Sequence, residues 1–191
     1  MKKINSFWLI IILSIVIYGV IQYLITTGIL NQFYSNTLIF IIINIILAVS
    51  LHLVIGITGQ FSIGHAGFLA IGAYISAIVT MKLHLPFSLA IVMGGLVAAL
   101  AGMVVGIPSL RLRGDYLAIA TLGFGEIIRI VFLNIDYVGG AAGMRVSQLT
   151  TWTTSFVCLV ITIIVIVNFT NSRHGRACIS IRDNEIAADA M

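Results

Sequence analysis

The chain has 191 residues, 60% of them hydrophobic and only 8% charged, with a formal net charge of +4. A soluble domain carries about three times that charged fraction. With a mean hydropathy of +1.16 and apolar runs each long enough to cross roughly 30 Å of hydrocarbon, the composition excludes a soluble protein with a single anchor. The basic residues are dispersed in short loops, so the charge points to a lipid bilayer and to orientation signals, not to nucleic acid. The fold class that follows is all-α: a polytopic helical membrane protein with about six transmembrane helices in this chain.

In chain order, spans are expected near 7–27, 38–57, 62–81, 87–110, 116–133 and 152–170. Lys2 and Lys3 precede a run too long for a signal-peptide core, with no clear cleavage site after it, so the first run is expected to stay as a helix. Asn31–Asn36 reads as a loop. The second span is Ile-rich and holds Asn44 and His52. The turn into the third is short, near Thr58–Ser62, which predicts a tight hairpin. The third opens in the stretch Gly59–Tyr74, GQFSIGHAGFLAIGAY, where Ser62, Ala66 and Ala70 stand four apart. Small residues at that spacing suit close helix packing, and the polar start suits a gate or helix break at one mouth of the bundle. The fourth span carries Gly94, Ala98, Gly102 and Gly106 four apart, a face that lets another helix backbone approach. Pro108 is expected to bend or end that helix. After a charged loop, Arg111–Asp115, the fifth span contains Glu126 and Arg129. A polar segment with Gly139, Gly140 and Gly143 leads to the sixth span, where Trp152 is expected as an interfacial anchor. Residues 1–170 thus form a transmembrane domain, and residues 171–191 a polar tail.

Orientation follows from the loops. With the N-terminus in the cytoplasm, Lys2, Lys3, Arg111, Arg113, Arg173, Arg176 and Arg182 share one side, and only Lys82 and Arg145 lie on the other. The positive-inside rule therefore places both the N-terminus and the tail in the cytoplasm.

The polar residues inside the spans are the candidates for function. Glu126 and Arg129 are three apart and can pair on one helix face. Such a pair is tolerated in a membrane when it faces a wet path or the bundle interior, so it either lines a translocation path or locks helices together. Ser62 and His65 are candidates for the path near the cytoplasmic mouth, or for hydrogen bonds between helices. His65 and His52 lack neighbouring Cys, Asp or Glu, so no metal site is expected, and no cofactor signature is present. Cys158 and Cys178 read as two plain thiols. There is no catalytic motif and no G-x-x-x-x-G-K-[ST], so a process that uses ATP must draw it from a partner. In the tail, Asp183–Met191 has good helix formers, with Asp183 or Asn184 as N-cap, and Ala187, Ala188 and Ala190 offer a smooth docking surface.

Four stretches, in order, carry a resemblance. GQFSIGHAGFLAIGAY, RLRGDYLAIATLGFGEIIRIVFLN, the glycine loop Gly139–Gly143 and HGRACISIRDNEIAADAM together resemble the permease subunits of bacterial ATP-binding-cassette importers for branched-chain amino acids, of the LivM type, from about Leu38 to Met191. The resemblance implies a multi-pass subunit of the bacterial inner membrane. It would form the path with a second permease subunit of the LivH type, receive cargo from an extracytoplasmic amino-acid binding protein, and be driven by two cytoplasmic ATPase subunits. It also implies that Arg182, Asp183, Glu185, Ala187 and Ala188 form the ATPase-coupling segment, with one residue between Glu185 and the Ala pair. Members of the family continue through further spans beyond this segment, so a truncated permease bundle, with its coupling loop incomplete, is expected. Permeases for urea or short amides share much of the pattern. A secondary transporter using Glu126 and Arg129, or a non-transporting remnant, are the alternatives from other classes.

Overall fold

The computed structural model describes residues 2–109, 111–112 and 114–184, with side chains from Ser14 onward. The described residues are helical and contain no strand, as the absence of water in a bilayer core requires of an open chain. The helices are α1 (Lys2–Thr26), α2 (Gln32–His52), α3 (His65–Met81), α4 (Phe87–Ser109), α5 (Asp115–Asn134), α6 (Trp152–Asn171) and α7 (Arg173–Asp183). A π-helical turn, Leu53–Ile57, continues α2, and two 3₁₀ turns lie between α5 and α6. Among the described residues four segments are long and apolar enough to cross a membrane: Gln32–Ile57, Phe87–Ser109, Asp115–Asn134 and Trp152–Asn171. Ser14–Thr26 and His65–Met81 are shorter apolar helices. Val104, 73% exposed, and Ile107 and Ile119 belong to a broad apolar surface that suits lipid and would be unsustainable in water. This is an all-α, multi-pass membrane protein.

Several boundaries differ from the sequence expectation. Helix α2 begins at Gln32, so the expected loop Asn31–Asn36 is mostly helical. Its polar side chains bond along the helix, as Gln32 does to Asn36 at 3.4 Å. Helix α3 begins at His65, three residues later than expected, and Ser62 lies in the non-helical approach to it. Pro108 sits within the last turn of α4 and lets one more residue follow it. Trp152, at the start of α6, is buried, and its ring lies 5.8 Å from that of Phe156.

Two compact units divide the chain. One comprises Met1–Ser50 and Thr150–Ser172. Within it the Tyr18 hydroxyl meets the Thr153 hydroxyl at 3.1 Å, and the Tyr18 and Phe156 rings lie 5.2 Å apart. Thr151 caps α6 from an extended backbone: its hydroxyl accepts from the Thr154 N–H, and the Thr154 hydroxyl accepts from the Thr151 N–H, both at 3.3 Å. Thr151→Ala is expected to cost about 1 kcal/mol, read as a lower thermal midpoint in detergent, while Thr151→Ser keeps the wild-type value.

The other unit comprises Leu51–Leu149 and Arg173–Met191. Its core is built from small side chains, as expected where dispersion and backbone approach, not the hydrophobic effect, hold helices together. Ala90 is fully buried, with Gly94, Gly67, Ala77 and Ala118 close behind. Gly94 is where α3 and α4 touch most closely: a Cβ built there would stand 2.6 Å from the Gly72 carbonyl oxygen and 3.3 Å from the Ser76 Cβ. A Cβ on Gly67 would meet the Gly125 Cα and the Ile128 Cδ1 at 3.1 Å each, so α3 and α5 also approach through glycine. Further along, Tyr74 stacks on Phe132 at 4.3 Å between centroids.

Candidate functional site

The second unit gathers its polar features into four places. The first is a cleft of about 320 Å³ between α3 and α5. Its walls are Ile63, Ala66, Ala70 and Leu122 with the backbones of Gly67 and Gly125, and Glu126 and Arg129 stand at its edge. Glu126 is near the middle of α5, about 17 Å from its start at 1.5 Å per residue. Arg129 Nε donates to Glu126 Oε2 at 2.9 Å. The pair is open on its cleft side, with Arg129 61% and Glu126 52% exposed.

A smaller cavity of about 180 Å³ lies between α3, α4, α5 and the π turn. It brings together four residues that the sequence singled out separately: Ser62, His65, Gly102 and Gly106. Gln60, Ser109 and Thr121 complete its polar lining, and nothing in the sequence marks Ser109 or Thr121 out. Both are buried, and both spend their protons on their own helix: Ser109 Oγ donates to the Val105 carbonyl at 2.6 Å, and Thr121 Oγ1 to the Ala118 carbonyl at 3.0 Å. Thr121 Oγ1 also accepts from the Ile63 N–H at 3.1 Å, which fixes the non-helical approach to α3 against α5. Gly64 rests against the Thr121 backbone, with no room for a Cβ. Of the stripe on α4, Gly94 and Ala98 face α3, a Cβ on Gly102 would stand 3.9 Å from the Phe68 ring, and a Cβ on Gly106 would meet no heavy atom within 4 Å.

The third place is a cleft of about 500 Å³ where three parts of the chain meet: Thr58–Phe61, then Leu112, Gly114, Asp115 and Leu117, and Ile181–Asn184. Here α7 is tied to the end of the π turn. Arg182 Nη1 donates to the Gly56 carbonyl at 2.7 Å, while its Nε and Nη2 donate to Asp183 Oδ1 at 3.0 and 2.8 Å. Widened to a π turn, the backbone bonds Thr58 N–H to the Leu53 carbonyl at 3.2 Å and leaves the Gly56 carbonyl for the guanidinium. Gly59 has φ +72°, and a Cβ there would run into Arg182 Cγ, so only glycine suits both the turn and the packed guanidinium stem. Asp183 is the last residue of α7, and Asn184 N–H bonds back to the Ser180 carbonyl at 3.0 Å; the helix expected over Asp183–Met191 lies, beyond Asn184, outside the described residues. Basic residues, Arg173, Arg176 and Arg182, run through this amphipathic helix, which lies within what the sequence presents as a polar tail. Glu185, Ala187 and Ala188 lie outside the described residues.

The fourth place is at the opposite ends of α3 and α5. Lys82 Nζ sits 3.3 Å above the Tyr137 ring and donates to the Tyr137 carbonyl at 2.7 Å. Ser147 Oγ reaches Met81 Sδ at 3.7 Å. Gly139, at φ +87°, lets the loop fold so tightly that a Cβ would enter the Gly143 carbonyl. Among the described residues no cluster of His, Cys, Asp or Glu has metal-binding geometry.

Comparisons with known proteins agree with the resemblance. The family described as the branched-chain amino acid transport system, permease component, matches residues 33–191. The chain is 50% identical over 103 residues to the high-affinity branched-chain amino acid transport system permease protein LivM of Salmonella typhimurium, and equally to that of Escherichia coli. Those residues are 53% of this chain and 24% of each relative, so the match spans about a quarter of the curated relatives' length. No solved structure matches the chain.

Proposed function

The chain belongs to the permease components of branched-chain amino acid transport systems, and from that premise we propose that it is a membrane subunit of an ATP-binding-cassette importer for leucine, isoleucine or valine. Residues 1–170 form the membrane domain, with six spans and a cytoplasmic N-terminus, in the bacterial inner membrane. Residues 171–191 form the cytoplasmic segment that engages the ATPases. A second permease subunit completes the path, an extracytoplasmic binding protein delivers the cargo, and two ATPase subunits supply the ATP hydrolysis for which this chain has no P-loop.

The observation that carries this reading is the sorting of loops within the second unit. Thr58–Phe61, the residues Leu112, Gly114 and Asp115, and Ile181–Asn184 meet in one cleft, and all three places are cytoplasmic by the charge count. Lys82 and Met81 meet Tyr137 and Ser147, and those loops are extracytoplasmic by the same count. Helices α3, α4 and α5 therefore alternate as the six-span topology requires. The tail helix α7 is tied to the cytoplasmic end of a membrane segment, where an ATPase can move it. Coupling needs contacts that differ between two states, and the Arg182–Gly56 bond supplies a contact that can change.

The proposal is tested by affinity capture of the chain from membranes that hold its neighbouring gene products. A P-loop ATPase is expected to come with it and to be lost with Glu185→Arg. Transport driven by an ion gradient, with no ATPase bound, would point instead to a secondary transporter.

A further inference from the structure

The cleft between α3 and α5 has the chemistry of an amino-acid zwitterion in negative. Its walls are apolar and small: Ile63, Ala66, Ala70 and Leu122. Its edge holds one carboxylate and one guanidinium, Glu126 near the middle of a membrane-length helix and Arg129 about one turn further along it. Their pairing is side-on and single, through Arg129 Nε and Glu126 Oε2. The outer guanidinium donors and Glu126 Oε1 have no other partner among the described residues. A pair meant only to fasten two helices would be closed over by side chains of the second helix. This one stays on its own helix, at i and i+3, and stands open to the cleft.

Resting on the importer reading above, we propose that this cleft is a transit site for the free amino acid. The cargo carboxylate takes the outer donors of Arg129, the cargo ammonium takes Glu126 Oε1, and the aliphatic side chain lies on the Ala66–Ala70 wall. The volume, about 320 Å³, falls at the lower end of small-molecule sites, roughly 300–1,000 Å³. The cavity around His65, at about 180 Å³, falls below that range and holds no carboxylate or guanidinium. Between transport events the Glu126–Arg129 pair neutralises itself, so the empty site does not leave two isolated charges in a medium of low dielectric. When cargo arrives, each charge gains a second partner without the first bond having to break. The fit also carries selectivity. A neutral amide or urea has no pair of opposite charges to match Arg129 and Glu126, and a charged side chain would meet the apolar wall.

The test uses the complete importer in proteoliposomes, with radiolabelled leucine uptake and binding-protein-stimulated ATP hydrolysis measured side by side. Glu126→Gln and Arg129→Gln are each expected to lower uptake about tenfold, the scale of one charge-assisted hydrogen bond, while stimulated hydrolysis persists. The exchanged pair, Glu126→Arg with Arg129→Glu, is expected to stay low, because it keeps the bond between the two side chains but reverses the order of charges offered to the cargo. Recovery of uptake in the exchanged pair, or wild-type uptake in either single variant, would overturn the proposal. If the charge variants do not assemble, Ala70→Leu decides: it narrows the wall and is expected to lower leucine uptake more than valine uptake. An unchanged leucine-to-valine ratio would overturn the site. Wild-type uptake separates the two levels of inference. A wild-type assembly that imports no leucine defeats the importer reading itself, whereas import unaffected by these changes defeats only the zwitterion site.

Discussion

Gly94→Leu is expected to abolish most of the folded protein. Gly94 is buried, and a Cβ there would stand 2.6 Å from the Gly72 carbonyl oxygen, a backbone atom that cannot swing aside. Helices α3 and α4 would have to separate by the width of a side chain along their whole contact, which passes through Ala90, Gly94 and Ala77. Overpacking of a core costs about 1–3 kcal/mol where neighbours can repack. A clash with backbone exceeds that range and takes much of the margin of a domain. The measurement is the monodisperse yield in detergent, with Gly95→Leu as the comparison. Gly95 adjoins Gly94 in sequence, yet a Cβ on it meets nothing within 4 Å, so its variant is expected at wild-type yield. Gly106→Leu is also expected to be mild for the fold, since its Cβ enters open space beside the small cavity. Equal loss in the Gly94 and Gly95 variants would mean that lost helix flexibility, not close packing, is what matters.

Arg182→Ala is expected to separate ATP hydrolysis from import. The guanidinium bonds the Gly56 carbonyl at 2.7 Å and is the described polar tie between α7 and the end of the α2 segment. Hydrogen bonds to charged groups contribute about 1.5–3 kcal/mol. Because Arg182 is 40% exposed, solvent screening lowers this toward about 1 kcal/mol. If that tie transmits the ATPase stroke, leucine uptake per ATP hydrolysed falls roughly fivefold to tenfold while binding of the ATPase continues. Gly59→Val reaches the same joint from the other side. It forces a branched residue into φ +72° and pushes on Arg182 Cγ, so it is expected to uncouple as well. Uptake and hydrolysis that fall together in both variants would mean that α7 merely holds the ATPase in place.

Much of this molecule was legible from spacing alone. The apolar runs announced the helices because a bilayer tolerates little else. Glu126 and Arg129, three apart, announced their bond. The stripe Gly94–Gly106 announced a packing face, but periodicity treats its four members alike. Only the crossing of α3 over α4 picks out Gly94 as the tight point and leaves Gly106 beside a cavity. Nothing local marked Leu53–Ile57 as a π turn. That widening depends on a glycine beneath the His52 ring and on an arginine 126 residues away that takes the Gly56 carbonyl. The extent of α7 was misjudged for a related reason. Arg173–Asp183 is polar enough to read only as a tail, and its apolar Ile181 makes sense beside the cleft it lines. Ser109 and Thr121 escaped notice because a hydroxyl bonded to its own helix looks, in sequence, like any other small residue.

We propose that this chain forms part of the membrane path of an ATP-driven importer for branched-chain amino acids. The most direct measurement is uptake of radiolabelled leucine by proteoliposomes that contain the chain with its second permease, its ATPases and its loaded binding protein. The account predicts uptake that requires ATP on the ATPase side, persists when ion gradients are collapsed, and is competed by isoleucine and valine but not by urea. Uptake that follows an imposed ion gradient without ATP, or that transports urea in place of leucine, would contradict it.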